Sequence, residues 1–215
     1  MAPAVVEHHG RAVVKAVVFD FGGVLCRLVD YSGRRKWEEK LGLPEGKLTP
    51  VVLESAVAQQ SLLGQATENQ IWEQVRQDFG LSSAALDELR GDFWSGHIVD
   101  DQLAQWLFHL RPQYRTALLS NFWLGARTSF ARTFGLRTDV VDTMVISSEE
   151  GIAKPDERIY RLTACRLGVE PEEMVFVDDS VENVAGAERA GIKGVLFETT
   201  EHTVKKVNDL LGVRP

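Results

Sequence analysis

The sequence predicts an α/β fold, a doubly wound parallel sheet with a helical insertion after its first strand. Three observations predict it. Short valine-rich runs alternate with helix-period segments along most of the chain, the pattern of a parallel sheet covered by helices on both faces. The helical segments beyond residue 120 stop at Gly135, Gly168 and Gly191, where a helix C-terminus favours a left-handed residue. The stretch 29–97 carries helix signals and no convincing strand.

In chain order, residues 12–19 read as a central strand because they are valine-rich and apolar on both faces. Within 29–97, Thr49-Pro50 looks like an N-cap followed by proline at the first helical position. Thr67 with Gln70 matches a capping box, and Ser82 or Ser83 opens another helix. Three or four helices are expected there, forming a cap over the strand ends. A helix over 100–110 returns the chain to the core. Strands follow at 116–119, 143–146, 174–177 and 194–197, with helices over 122–134, 156–167 and 181–190. The expected division is a discontinuous core domain, 12–28 with 98–215, and a cap domain, 29–97. A length of 215 residues, above the ~100–150 of one typical domain, accommodates both.

A net charge of −7 argues against broad nucleic-acid or anionic-membrane binding, which would need a basic surface. No run approaches the ~20 apolar residues of a membrane span, and residues 1–10 lack the basic start of a signal peptide. The two cysteines, Cys26 and Cys165, lie far apart and form neither a disulfide framework nor a zinc motif. A cytoplasmic protein acting on a small molecule is expected, as a monomer or homodimer.

The chemistry is carried by four pieces. Asp20 closes the apolar run Val17-Val18-Phe19 just before Gly22-Gly23, and is placed like a nucleophile. Leu119-Ser120-Asn121, Ala153-Lys154-Pro155 and Val177-Asp178-Asp179, with Asn183 beyond, follow in order. Asp20, Ser120 and Asp178 all end strands, where open α/β sheets bind ligands. A carboxylate approaching a phosphate dianion meets repulsion of about 4 kcal/mol per charge pair at ~4 Å and an effective dielectric of ~20. Cations must offset it. Magnesium takes hard oxygen ligands, and Asp20, the Gly22 carbonyl, Asp178 and Asp179 suit it, with Asp179 favoured as the direct ligand of the last two. Lys154 supplies a compact positive charge, and Ser120 a hydroxyl for a phosphate oxygen. Asn121 is expected to orient the substrate, and Trp123 either to touch it or to pack.

These four motifs resemble those of the haloacid-dehalogenase-like hydrolase superfamily over most of the chain, from about residue 14 to 197. The resemblance implies a Rossmann-like core with a C1 cap. It makes Asp20 the nucleophile of an aspartyl-phosphate route, Lys154 the catalytic lysine, Ser120 the phosphate-binding hydroxyl, and Asp178 and Asp179 the metal-side acids. Asn183 stands where the family often supports the metal or its waters. The start Asp20-Phe21-Gly22-Gly23 is similar to a subgroup of sugar-phosphate phosphatases and the phosphatase domain of epoxide hydrolases. A magnesium-dependent phosphatase of a small phosphate ester is the expectation. Gly22 departs from the family, since most of its phosphatases have an aspartate there as general acid. That departure keeps two alternatives open, a metal-independent 2-haloacid dehalogenase and a non-catalytic ligand-binding protein.

Other features take plainer readings. Arg34-Arg35-Lys36 could recognise an acidic group of the substrate, but a solvated helix face is the favoured reading; His8 and His9 are expected as a loose end, and His97 and His109 as packing or surface residues. Cys26 is expected as a small core or flap thiol, and Trp37, Trp72, Trp94 and Trp106 as packing bulk.

Overall fold

Every residue of the first strand, β1 (Ala16–Phe19), is fully buried, as befits a strand flanked by neighbours and covered on both faces. It opens a computed structural model that describes residues 13–137 and 139–213. After β1 come β2 (Cys26–Leu28), the helices α1 (Ser32–Leu41), α2 (Leu48–Leu53), α3 (Ala56–Leu62), α4 (Glu68–Asp78) and α5 (Ser83–Ser95), then β3 (His97–Val99). The chain continues with α6 (Asp101–Leu110), β4 (Arg115–Ser120), α7 (Ala126–Arg132), β5 (Thr143–Ile146), α8 (Ser147–Glu150) and α9 (Glu157–Leu167). It closes with β6 (Met174–Asp178), α10 (Val181–Arg189), β7 (Lys193–Leu196) and α11 (Thr200–Leu211).

The main sheet is parallel, in the order β5-β4-β1-β6-β7. Because strand side chains alternate between faces, neighbouring residues feed two separate cores. Val17, Phe19, Leu118, Val175 and Val177 enter one, and Ala16, Val18, Leu119, Met174 and Phe176 the other. Each fully buried Val, Leu or Phe side chain contributes about 1.5–3 kcal/mol. The chain leaves β1 towards β4 on one side and returns to β6 on the other. The carboxyl ends of these three strands therefore flank the switch point where open α/β sheets bind ligands.

A third core lies among the inserted helices, where Trp37, Leu48, Ile71, Trp72, Leu89 and Phe93 are buried together. Trp123, from the loop after β4, joins it, so the loop beside Ser120 is packed into the helical layer. The Thr67–Gln70 capping box is present in full, and Ser82 caps α5 through the Ala85 amide. No helix among the described residues is long and apolar enough to cross a membrane.

Several expectations need correction. The insertion holds five helices rather than three or four, because α2 and α3 are too short for their periodicity to separate them. Thr49 does not cap a helix: α2 begins at Leu48, whose amide donates to Glu38 Oε1 at 2.9 Å. Pro50 is accommodated in the first turn, where amides lack intrahelical acceptors anyway. An antiparallel ribbon of β2 and β3 stands at the root of the insertion, and strands of three residues are too short to show alternation. The helix expected over 122–134 is confined to Ala126–Arg132, because Gly125 takes φ +90° and residues before it turn towards the helical layer. Residue 12, the expected start of the first strand, and His8 and His9 lie outside the described residues.

Candidate active site

Backbone register brings the predicted residues to one place. Phe19 pairs with Leu118 of β4 and Val177 of β6, so Asp20, Ser120 and Asp178 sit at adjacent strand ends. The Asp20 amide donates to the Val177 carbonyl at 2.8 Å, extending the ladder to the aspartate itself.

Lys154 ties the group together. Its Nζ donates to Asp20 Oδ1 at 2.9 Å and to Asp178 Oδ2 at 2.6 Å, and its side chain is fully buried. An ammonium carries three N–H donors, so one remains for an incoming oxyanion. The Asn121 side chain fixes the lysine's backbone by two bonds: Nδ2 donates to the Lys154 carbonyl and Oδ1 accepts from the Lys154 amide, both at 2.9 Å. Through these contacts Asn121 acts on Lys154.

Asp178 is saturated. Oδ1 accepts from the Ser180 amide at 2.8 Å and from Asn183 Nδ2 at 3.0 Å, while Oδ2 accepts from Lys154 and, at 3.2 Å, from the same Asn183 nitrogen. Asn183 is itself held by the first turn of α10, with Tyr160 Oη donating to its carbonyl at 2.7 Å. Asp179, by contrast, is exposed. Ligand oxygens of Asp20, Asp178 and Asp179 all lie within 4.8 Å of one another, a spacing that one hard cation can span. Gly23 is required there. It takes φ +76°, and a Cβ on it would stand 2.0 Å from Asp179 Oδ2.

Three carboxylates face one ammonium. Burial pushes the Asp20 carboxyl up to about 7; Lys154 opposes the shift and Asp178 adds to it. The Asp179 carboxyl is raised as well: the residue is exposed overall, but its oxygen in the cluster is desolvated there, and Asp178 adds to the shift. Excess negative charge in a partly dry pocket favours either protons or a cation. The donor set therefore fits a divalent metal. It also predicts the result of Lys154→Met. Losing one partner of a buried ion pair costs about 3–5 kcal/mol, so urea unfolding of the metal-free variant should shift by that much. A midpoint equal to the native one would contradict the arrangement.

Ser120 is buried at the end of β4. Trp123 is 4% exposed, its Nε1 is buried without a partner, and its ring packs edge-on against Trp94 at 5.7 Å. Gly22 is exposed and lines a crevice of about 1050 Å³ between core and insertion, which Asn121, Trp123 and Asp179 also line. Cys26 is buried, and burial pushes its thiol up to about 12. His109 is exposed.

Arg34 was misplaced by the solvated-face expectation. Arg35 and Lys36 are exposed as expected, but Arg34 is 7% exposed and lines the crevice. The signal was its spacing: Arg34, Trp37 and Leu41 fall at helical intervals on one face of α1, the face that carries Trp37 into the third core.

Comparison with known proteins agrees with the fold and the motifs. The model of the haloacid dehalogenase-like hydrolases matches residues 14–191. The chain belongs to that family. Among curated relatives, bifunctional epoxide hydrolase 2 of Sus scrofa is 28% identical over 223 residues, 94% of this chain and 39% of its own length. A phosphatase of Mycobacterium tuberculosis is 27% identical over 88% of this chain and 90% of its own. The chain spans only 20–39% of the first curated relatives it matches. A solved haloacid dehalogenase-like enzyme from Bacteroides thetaiotaomicron, in complex with magnesium and inorganic phosphate, superposes with TM-score 0.72 over 86% of this chain and 94% of its own. At 22% identity that likeness is one of fold.

Proposed function

We propose that this hydrolase is a magnesium-dependent phosphatase of a small phosphorylated metabolite. The observation that carries the reading is the acidic cluster of Asp20, Asp178 and Asp179, closed from below by the buried Lys154. Phosphatases among the relatives and the magnesium and phosphate in the Bacteroides enzyme point the same way. Both cysteines are free, which suits a reducing cytoplasm. The helices of 29–97 serve as the cap domain over a core of 12–28 and 98–215.

Asp20 is the nucleophile. One of its oxygens is held by Lys154 and by the Phe21 amide at 2.7 Å, leaving the other to attack phosphorus and form an aspartyl-phosphate as the ester oxygen departs. Water then attacks that phosphorus, releasing phosphate and restoring the carboxylate. The third N–H of Lys154 and the Ser120 hydroxyl hold the non-bridging oxygens. Asp20, the Gly22 carbonyl and Asp179 would hold the metal, with Asp178, already filled by its donors, fixing Lys154 and contributing at closer range through its charge. Asn183 supports the site by orienting Asp178. When bound, the cation supplies the positive charge that lets a dianionic ester approach three carboxylates.

The exposed Asp179 beside Asp20 weighs against metal-free dehalogenation, because a haloacid carboxylate would meet uncompensated charge. The test is phosphate release from an aryl phosphate by the native chain. With magnesium it should proceed; with excess chelator it should fall by about 10²-fold or more, the size of effect seen when a principal electrostatic stabiliser is removed. Equal release under both conditions would reject the metal-dependent reading.

A further inference from the structure

The crevice that receives the ester has a second cationic wall. Arg34 reaches it from α1, and no carboxylate among the described residues lies within 4.0 Å of its guanidinium. A buried arginine is ordinarily paired. This one is hydrogen-bonded by neutral groups; burial holds its guanidinium down to about 10, and Tyr31 and the buried Glu38, one turn on in α1, offset that only in part. Nε donates to the Phe93 carbonyl at 3.3 Å, one terminal nitrogen to Thr49 Oγ1 at 2.7 Å and the other to His97 Nε2 at 3.4 Å, while the group stacks over the Phe93 ring at 4.0 Å. His97 must carry its proton on Nδ1, which donates to the Trp94 carbonyl at 3.1 Å. Burial, and next the charge of Arg34, hold His97 down to about 4, so it stays neutral.

The guanidinium is thus fixed by three elements, α1, α2 and α5, and by the start of β3. A guanidinium has five N–H donors; three are used, and each terminal nitrogen keeps one. A pair of donors on a planar fork matches a carboxylate. Of the other charged groups lining the crevice, Arg27 pairs with Asp100 at 2.7 Å and Asp179 belongs to the acidic cluster, while Lys47 and Glu54 are exposed side chains rather than fixed ones. The crevice walls also include Leu53, Leu62 and Phe122, suited to a carbon chain.

Resting on the phosphatase reading, we propose that the substrate carries a second anionic group, a carboxylate separated by a carbon chain from the phosphate, and that Arg34 is the residue that binds it. The class is a phosphate monoester of a hydroxy acid. The phosphoryl end lies on Asp20, Ser120 and Lys154, and the acid end on Arg34, with Thr49 and His97 as positioning residues.

Binding can be read without turnover by calorimetry on the Asp20→Asn protein with magnesium. The probes are matched pairs: 3-phosphoglycerate against glycerol 3-phosphate, and 4-phosphooxybutanoate against butyl phosphate. At least one acid should bind about tenfold or more tighter than its partner lacking the carboxylate, the worth of a charged hydrogen bond. Adding Arg34→Met should bring that ratio close to one, and Arg34→Lys should restore part of it. Equal binding within both pairs overturns the proposal, as does a preference that survives Arg34→Met. Should Arg34→Met not fold, the ratio in the Asp20→Asn protein still decides. An acid preference in a chain that hydrolyses no aryl phosphate would sink the phosphatase reading and uphold the Arg34 subsite.

Discussion

Replacing Asp20 by Asn is expected to lower phosphate release from an aryl phosphate by about 10³-fold or more, since the proposed reaction would lose its nucleophile rather than a helper. The amide keeps the shape of the carboxylate, and the ladder bond from the residue 20 amide to the Val177 carbonyl involves only backbone. The loss should therefore be one of chemistry and not of folding. Stability gives an independent check. Burial raises the Asp20 carboxyl towards 7, which means that the folded, metal-free protein disfavours its charged form relative to the unfolded chain. Above the ordinary carboxylate range that charge is a cost. Asp20→Asn removes it, so the melting temperature at neutral pH without metal should hold or rise. Urea or thermal unfolding beside the activity assay measures both. A variant that keeps a tenth of native activity would dismiss Asp20 as nucleophile, and a fall of several degrees would give it a structural role instead.

The parts legible in the sequence share one property: each lies on or directly after a strand buried on both faces. Asp20, Ser120 and Asp178 announce themselves because a polar side chain follows an apolar run, and a parallel sheet sends all such ends to one edge. Lys154 was readable from its motif, although its position depends on Asn121, thirty-three residues earlier, gripping its backbone. The insertion was harder. Its helices bury their apolar faces mainly against one another and Trp123, so nothing local fixes how many there are, and β2 and β3 exist because they find each other across the whole insertion. Arg34 shows the cost of reading composition before periodicity. Three consecutive basic residues look like solvent-facing charge, but a helix turns ~100° per residue and cannot expose them all equally. Arg34 takes the side shared with Trp37, and there it meets the crevice.

Gly22→Asp is expected to raise kcat/KM for alkyl phosphates by about 10²-fold, the lower part of the 10²–10⁴ range for general acid–base help. The native chain has Gly22 rather than a carboxyl two residues after Asp20, so on the proposed route its leaving group would draw a proton from water. Aryl oxygens leave readily without one, whereas alkyl oxygens do not, so native turnover should favour aryl esters strongly. The structure has room for the change. A Cβ at Gly22 meets nothing within 4 Å, and the residue is exposed on the crevice wall with a backbone outside the left-handed region. Gly23 next to it offers no such room, which makes Gly23→Asp a fitting control that should lose activity. The new carboxylate adds negative charge near the incoming dianion, so aryl turnover should stay level or fall while alkyl turnover climbs. The informative quantity is the aryl-to-alkyl ratio in the two proteins, taken at saturating magnesium. A ratio that narrows towards one assigns the native preference to the missing acid. A ratio that stays fixed, in a variant that folds and still hydrolyses aryl esters, would mean that leaving-group protonation does not limit the native reaction and that Gly22 is no handicap to it.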